Sequence, residues 1–264
     1  MELGLKGKGV LVTAASKGIG LGVATVLAAE GCRVVISSRD QDSIQQASRQ
    51  IVKKTGNREV YGIKADLTAK DNVDRLIESS QQKMGGVDIL AYNTGPPKPG
   101  TLSDLTDEDW EYGVKLLLHS ATRLARGVLP RMVQKHWGRL VFITSTTLRQ
   151  PIGNLLLSNT VRLSLAGLSK SLATEYGPKG VTSNGIMQGH ILTDRQRQIA
   201  EDASRRTGKN VEEVVKQTLL DIPVGRYGTV DEVGHLVAFL ASDKASYING
   251  AMIPIDGGMI RSTI

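Results

Sequence analysis

The chain of 264 residues has one cysteine, two phenylalanines, two tryptophans, eight prolines and four histidines. Each shortage excludes something. A lone Cys32 cannot form an internal disulfide, and His119, His136, His190 and His235 show no metal-ligand spacing, so no metal centre is expected. Few prolines, with 40% apolar and 22% charged residues, describe a folded globular protein rather than a disordered one. No apolar run approaches the length of a membrane helix, and the start shows no apolar leader ahead of a small-residue cleavage site. A cytoplasmic protein without a membrane contact is expected. The net charge of +7 is spread, because lysines and arginines alternate with acids, and aromatics are only 4%. That argues against nucleic acid and leaves some positive charge for a phosphorylated small molecule.

What the sequence does contain is alternation. Short β-branched runs at Val10–Val12, Val34–Ile36, Val60–Ile63, Ile89–Tyr92, Leu140–Ile143, Val181–Met187 and Ala251–Ile255 read as seven buried strands. Helix-length segments separate them: Gly20–Glu30, Gln41–Lys54, Lys70–Met84, Asp107–Lys135, Asn154–Tyr176 and Val230–Ser242. Strict strand–helix alternation predicts an α/β, Rossmann-type, doubly wound and mostly parallel sheet with helices on both faces, in one domain over 1–264. The polar segment 194–222 breaks the rhythm. It follows the sixth strand, at the carboxyl edge where such sheets bind ligands, so small helices or a substrate lid are expected there.

After the first strand comes Thr13-Ala14-Ala15-Ser16-Lys17-Gly18-Ile19-Gly20. Glycines in a first βα turn let backbone amides and a helix amino terminus approach a pyrophosphate. With Asp66 after the third strand, Asn93-Thr94-Gly95 after the fourth, Ile143-Thr144-Ser145 after the fifth, Asn184–Gly189 near the sixth and Ile255-Asp256-Gly257-Gly258 at the end, the chain resembles the short-chain dehydrogenase/reductase family. The likeness is greatest to its 3-oxoacyl-carrier-protein-reductase-like members. Ala14 stands where that family has the first glycine of Thr-Gly-x-x-x-Gly-x-Gly, which costs free access to positive φ.

The resemblance implies a dinucleotide held by Thr13, Ala15, Ser16, Lys17, Gly18, Ile19, Gly20, Asp66, Leu67, Asn93, Thr94, Gly95, Arg162, Gly189, Ile191 and Thr193, with Ser38 and Arg39 selecting it. An acid at the tip of the second strand would hold a ribose 2′-hydroxyl and repel a phosphate. Ser38 is neutral and lies beside Arg39, with Lys17 in the glycine turn, so NADP(H) is the expected cofactor. A homotetramer acting on a small molecule is the expected assembly.

At the reaction centre the resemblance weakens. The family places a serine after the fifth strand and, thirteen residues on, Tyr-x-x-x-Lys; here Ser145 is followed by Ser158 and Arg162. The family's asparagine that supports a relay water is replaced by Leu117. The expected catalytic set is therefore Ser145 polarising an oxygen, Ser158 in the tyrosine's place and Arg162 as ribose clamp. A serine hydroxyl is a poor proton donor at neutral pH, so His190, Tyr92 or the Ser145–Ser158 pair with water stand as alternatives. The reading is an oxidoreductase of carbonyls or secondary alcohols. A cofactor-binding scaffold or redox sensor without turnover is the rival, and a lyase or isomerase on the same fold a third.

Overall fold

A computed structural model describes residues 2–263. Its seven strands are β1 (Gly9–Val12), β2 (Arg33–Ser38), β3 (Val60–Lys64), β4 (Ile89–Tyr92), β5 (Gly138–Ser145), β6 (Val181–Gln188) and β7 (Met252–Ile255). They form one sheet in the order β3-β2-β1-β4-β5-β6-β7. Every pairing is parallel, which sharpens the expected mostly parallel sheet. The order reverses between β1 and β4, and that switch point opens a crevice at the strands' carboxyl ends.

The helices are α1 (Gly18–Ala29), α2 (Gln41–Thr55), α3 (Lys70–Met84), α4 (Asp107–Val114), α5 (Ser120–Gln134), α6 (Leu156–Val161), α7 (Leu163–Tyr176), α8 (Asp194–Thr207), α9 (Val211–Leu220) and α10 (Val230–Ala241). Side chains alternate across each strand, so one sequence feeds two cores. Val10, Val12, Val34, Ile36, Val141 and Ile143 pack with α1, α2 and α10 on one face. Leu11, Val35, Leu90, Leu140 and Phe142 pack with α3, α5 and α7 on the other. Glycines let α1 and α10 meet closely: a Cβ on Gly22 would stand 2.5 Å from Val230, and one on Gly234 2.6 Å from Val26.

Two segments expected as single helices are interrupted. The stretch from Asp107 to Lys135 is divided by a π-helical turn at Lys115–His119, where the Ser120 amide bonds the Lys115 carbonyl instead of that of Leu116. Asn154–Tyr176 is divided at Arg162, between α6 and α7. The segment 194–222 forms α8 and α9, each started by a side-chain cap, Thr193 and Asn210. No helix among the described residues is long and apolar enough to cross a membrane, and no group of histidine, cysteine or acidic residues among them has the arrangement to hold a metal.

Candidate active site

The turn after β1 is built for close backbone approach. Ala14 adopts φ +47° and Gly18 φ +59°, and a Cβ on Gly20 would lie 2.5 Å from the Ala14 carbonyl. Ala14 thus keeps the left-handed turn that its side chain disfavours. The turn is tied to the tip of β4: Thr13 Oγ1 donates to the Asn93 carbonyl (2.7 Å) and accepts from the Asn93 amide (2.9 Å), and Asn93 Nδ2 donates to the Ala14 carbonyl (3.2 Å). The Ala15 amide donates to the Ser37 carbonyl (2.9 Å), which fixes the turn against β2. Lys17, at the N-cap of α1, gives no side-chain cap, so the first amides of that helix stay available to an anion. Thr193 faces the same turn, 3.7 Å from where a Cβ on Gly18 would be. Ile191 is buried behind it, and Gly189 has no room for a side chain beside Asp256.

At the tip of β2, Ser38 Oγ donates to the Asp40 carbonyl (3.0 Å). Asp40 is the nearest acid in sequence, but its carboxylate caps α2, accepting from the Ser43 amide (2.8 Å) and hydroxyl, and these bonds hold it below the usual carboxylate range. Lys17 and Arg39 are exposed, and Arg39 Nη1 reaches the Tyr112 hydroxyl at 3.4 Å. Sequence reasoning missed Lys64, which the parallel register sets directly beside Ser38. Only the pairing of β2 with β3 carries that signal. Asp66 Oδ1 accepts from the amide (2.9 Å) and hydroxyl (2.8 Å) of Thr68, leaving its other oxygen unengaged, and Leu67 is buried beside it. Next to Asn93, Thr94 Oγ1 is buried without a partner, whereas Gly95 is exposed.

Ser145, Thr147, Ser158 and Arg162 form one cluster at the carboxyl ends of β5 and β6. Ser145 Oγ accepts from the Thr147 amide (3.2 Å), and Thr147 Oγ1 lies 3.4 Å from Ser158 Oγ. Four residues on, one helical turn away, Arg162 Nε donates to Ser158 Oγ at 3.1 Å. Ser158 and Arg162 are buried, at 7% and 8% exposure. No carboxylate among the described residues pairs with the Arg162 guanidinium, whose pKa burial lowers from its ordinary value.

The two proposed substitutes for a proton donor are otherwise engaged. Tyr92, fully buried, directs its hydroxyl at the π-helical turn, 2.7 Å from the Leu117 carbonyl and 2.7 Å from Ser120 Oγ; burial raises its pKa well above the ordinary phenol value. His190 Nδ1 lies 3.4 Å from Gln196 Oε1, and its ring packs on Tyr227 with centroids 6.1 Å apart.

Comparison with known proteins decides the lineage. The family profile described as enoyl-(acyl carrier protein) reductase matches residues 13–260, nearly the whole chain. The chain belongs to the short-chain dehydrogenase/reductase family. It is 32% identical to the 3-oxoacyl-[acyl-carrier-protein] reductase FabG of Escherichia coli (strain K12), over 97% of this chain and 99% of that one. It is equally identical to the uncharacterized oxidoreductase YvrD of Bacillus subtilis (strain 168), over 99% and 100%. Among solved structures, L-sorbose reductase from Gluconobacter frateurii, complexed with NADPH and L-sorbose, superposes with a TM-score of 0.94 at 31% identity, covering 99% of this chain and 100% of that one. YwfH, an NADPH-dependent reductase of bacilysin biosynthesis, gives 0.91 at 28%, covering 97% and 99%.

Ser158 and Arg162, which the sequence resemblance aligns with the family's Tyr-x-x-x-Lys, stand one helical turn apart. The Leu117 carbonyl, at the position assigned to the relay asparagine, is taken by the Tyr92 hydroxyl. The cluster offers hydroxyl and guanidinium donors, with no titratable group poised near neutral pH.

Proposed function

We propose that this protein is an NADP(H)-dependent oxidoreductase that moves a hydride between the nicotinamide and a small molecule bearing a carbonyl or secondary-alcohol oxygen. The observation that carries the cofactor choice is neutral Ser38 beside Arg39 and Lys64, with Lys17 in the glycine turn and Asp40 committed to capping α2. A 2′-phosphate there meets cations and a neutral serine in place of an acid, and each charge-assisted bond contributes about 1.5–3 kcal/mol. Thr13, Ala15, Ser16, Lys17, Gly18, Ile19 and Gly20 would hold the pyrophosphate, with Thr193 beside them. The Gly20 contact and the unpartnered Thr94 hydroxyl fit a ligand laid against this edge. Asp66 and Leu67 hold the adenine, Asn93, Thr94 and Gly95 flank the ribose, and Gly189 and Ile191 border the nicotinamide. Arg162 takes ribose hydroxyls through its Nη groups, which no protein acceptor engages.

The bound nicotinamide supplies the hydride; Ser145 and Ser158 hold the substrate oxygen. The helices of 194–222 cover the substrate as a lid, in a single-domain cytoplasmic homotetramer. NADPH-bound L-sorbose reductase, with its TM-score of 0.94, supports this reading. Fluorescence titration tests it. NADPH binds more tightly than NADH, and Arg39→Asp reverses the order by removing a phosphate partner and adding a repelling charge. Equal affinities in the unmodified protein overturn the assignment.

A further inference from the structure

We infer that the amino-terminal end of the sheet carries a second binding site, built around Arg131, for the phosphate group of a small polar phosphate monoester. A cavity of about 360 Å³ opens there between the carboxyl ends of α3 and α5, and Gln81, Gly85, Gly86, Arg131 and Gln134 line it. β4 starts at Ile89, three residues past Gly86, and its far end meets the glycine turn through Asn93. The whole strand therefore separates this cavity from the cofactor crevice. The Arg131 side chain lies against Gly86: a Cβ there would stand 1.8 Å from Nε and 2.8 Å from Cζ, and the φ of +134° suits glycine alone. The guanidinium is thus held in place, with Nε buried and unpartnered.

Its charge is uncompensated. Among the described residues no carboxylate pairs with Arg131, and no acid lines the cavity. Asp88, two residues past the glycine pair, is spent: Oδ2 accepts from the Gly9 amide at 2.9 Å and Oδ1 from Lys135. An arginine at a helix end ordinarily bonds the last carbonyls, but among the described residues Arg131 bonds none. A second cation stands close. Arg33 Nη1 is 3.6 Å from where a Cβ on Gly85 would be, while its Nε and Nη2 donate to the Gly7 carbonyl.

The backbone adds donors. Gly85 closes α3 in the left-handed region, as Gly56 closes α2 and Gly208 closes α8. The amides of Gly56 and Gly208 bond back to Val52 and Ser204, whereas those of Gly85 and Gly86 have no acceptor among the described residues. A right-handed residue followed by a left-handed one turns successive amides toward one concavity, an arrangement that binds anions. Phosphate suits this set better than a carboxylate, because its several oxygens can take a planar guanidinium and backbone amides together. The cavity has the size of a small-ligand site and exceeds a bare phosphate. Gln134 and the Oε1 of Gln81, whose Nε2 donates to the Gly127 carbonyl at 3.4 Å, are left for the hydroxyls of an attached body.

Calorimetry of the full chain at constant ionic strength, alone and with NADPH, decides it. Glycerol 2-phosphate, which has no secondary alcohol to be oxidised, binds in both conditions, and inorganic phosphate binds more weakly. Arg131→Met lowers both affinities by about 10-fold or more, the loss of one charge-assisted bond. Arg131→Lys, which keeps the charge without the planar fork, restores part of the loss. Gln134→Ala, at an exposed position, weakens the ester alone. Affinity unchanged in Arg131→Met or, where that variant fails to fold, ester affinity unchanged in Gln134→Ala overturns the site, as does ester binding that NADPH abolishes. Inorganic phosphate binding as tightly as the ester overturns the monoester class. The Arg131 comparison decides the site whether or not NADPH binds, so its failure is separate from that of the oxidoreductase reading.

Discussion

The hydroxyl of Tyr92 stands 2.7 Å from the carbonyl of Leu117, and this contact joins the end of β4 to the π-helical turn between α4 and α5. The turn withdraws the Ser120 amide from the Leu116 carbonyl, and Tyr92 and the Ser120 hydroxyl bond to that carbonyl instead. Buried polar groups need partners, and here the Ser120 hydroxyl serves the Leu116 carbonyl while the phenol ties β4 to the same turn.

Tyr92→Phe removes the hydroxyl and keeps the ring, which packs on Phe142 with centroids 5.7 Å apart. Leaving a buried acceptor unsatisfied costs about 1–3 kcal/mol. Urea unfolding should show the midpoint falling by that amount with an unchanged slope. A neutral variant would mean that the carbonyls find other donors.

Ala14 holds φ +47° where glycine is at ease. Left-handed backbone costs a non-glycine residue about 1–2 kcal/mol, while the greater freedom of glycine in the unfolded chain returns about 0.5–1 kcal/mol of that. Ala14→Gly should therefore raise stability by up to about 1.5 kcal/mol and leave NADPH affinity unchanged or improved. A clear loss of stability would show that the turn does not strain alanine.

The pair Ser158→Tyr with Arg162→Lys restores a phenol and an amine at the family's spacing. If proton donation is what the present site lacks, saturated ketones should become substrates, with gains up to roughly 10²–10⁴-fold from general acid catalysis. Ser158 is buried between Thr147 and Arg162, so overpacking of about 1–3 kcal/mol accompanies the larger ring. A folded, NADPH-binding double variant with no gain on saturated ketones would show that something other than acid catalysis limits them.

Cys32 is fully buried with Sγ 3.4 Å from the Leu5 carbonyl, and burial pushes its thiol from an ordinary value near 9.0 up to about 12. Because the folded pKa is raised, the unfolded chain loses this proton first as pH climbs. The thiol's contribution to stability is complete below pH 9 and declines between about 9 and about 12. Cys32→Ala should flatten that part of the stability profile, and native protein should resist a thiol reagent at pH 8 until denatured. Rapid labelling of the native protein would contradict this.

All seven strands were legible in the chain, because β-branched runs bounded by turns are a local pattern and both faces of a parallel sheet are buried. The glycine turn and its position after β1 are likewise plain in the residues. What only the tertiary structure decided are relations between distant segments. The break at Lys115–His119 is invisible in the helical periodicity, and the tyrosine that bonds to it comes from a distant strand, β4. Lys64 joins Ser38 only through the register of β2 with β3, and Asp40 leaves the cofactor edge only because α2 begins there. The Arg162 charge can be read from the sequence. Its burial without a carboxylate depends on how α6 packs against α4 and the π-helical turn while α7 packs onto the sheet, and no local pattern records that packing.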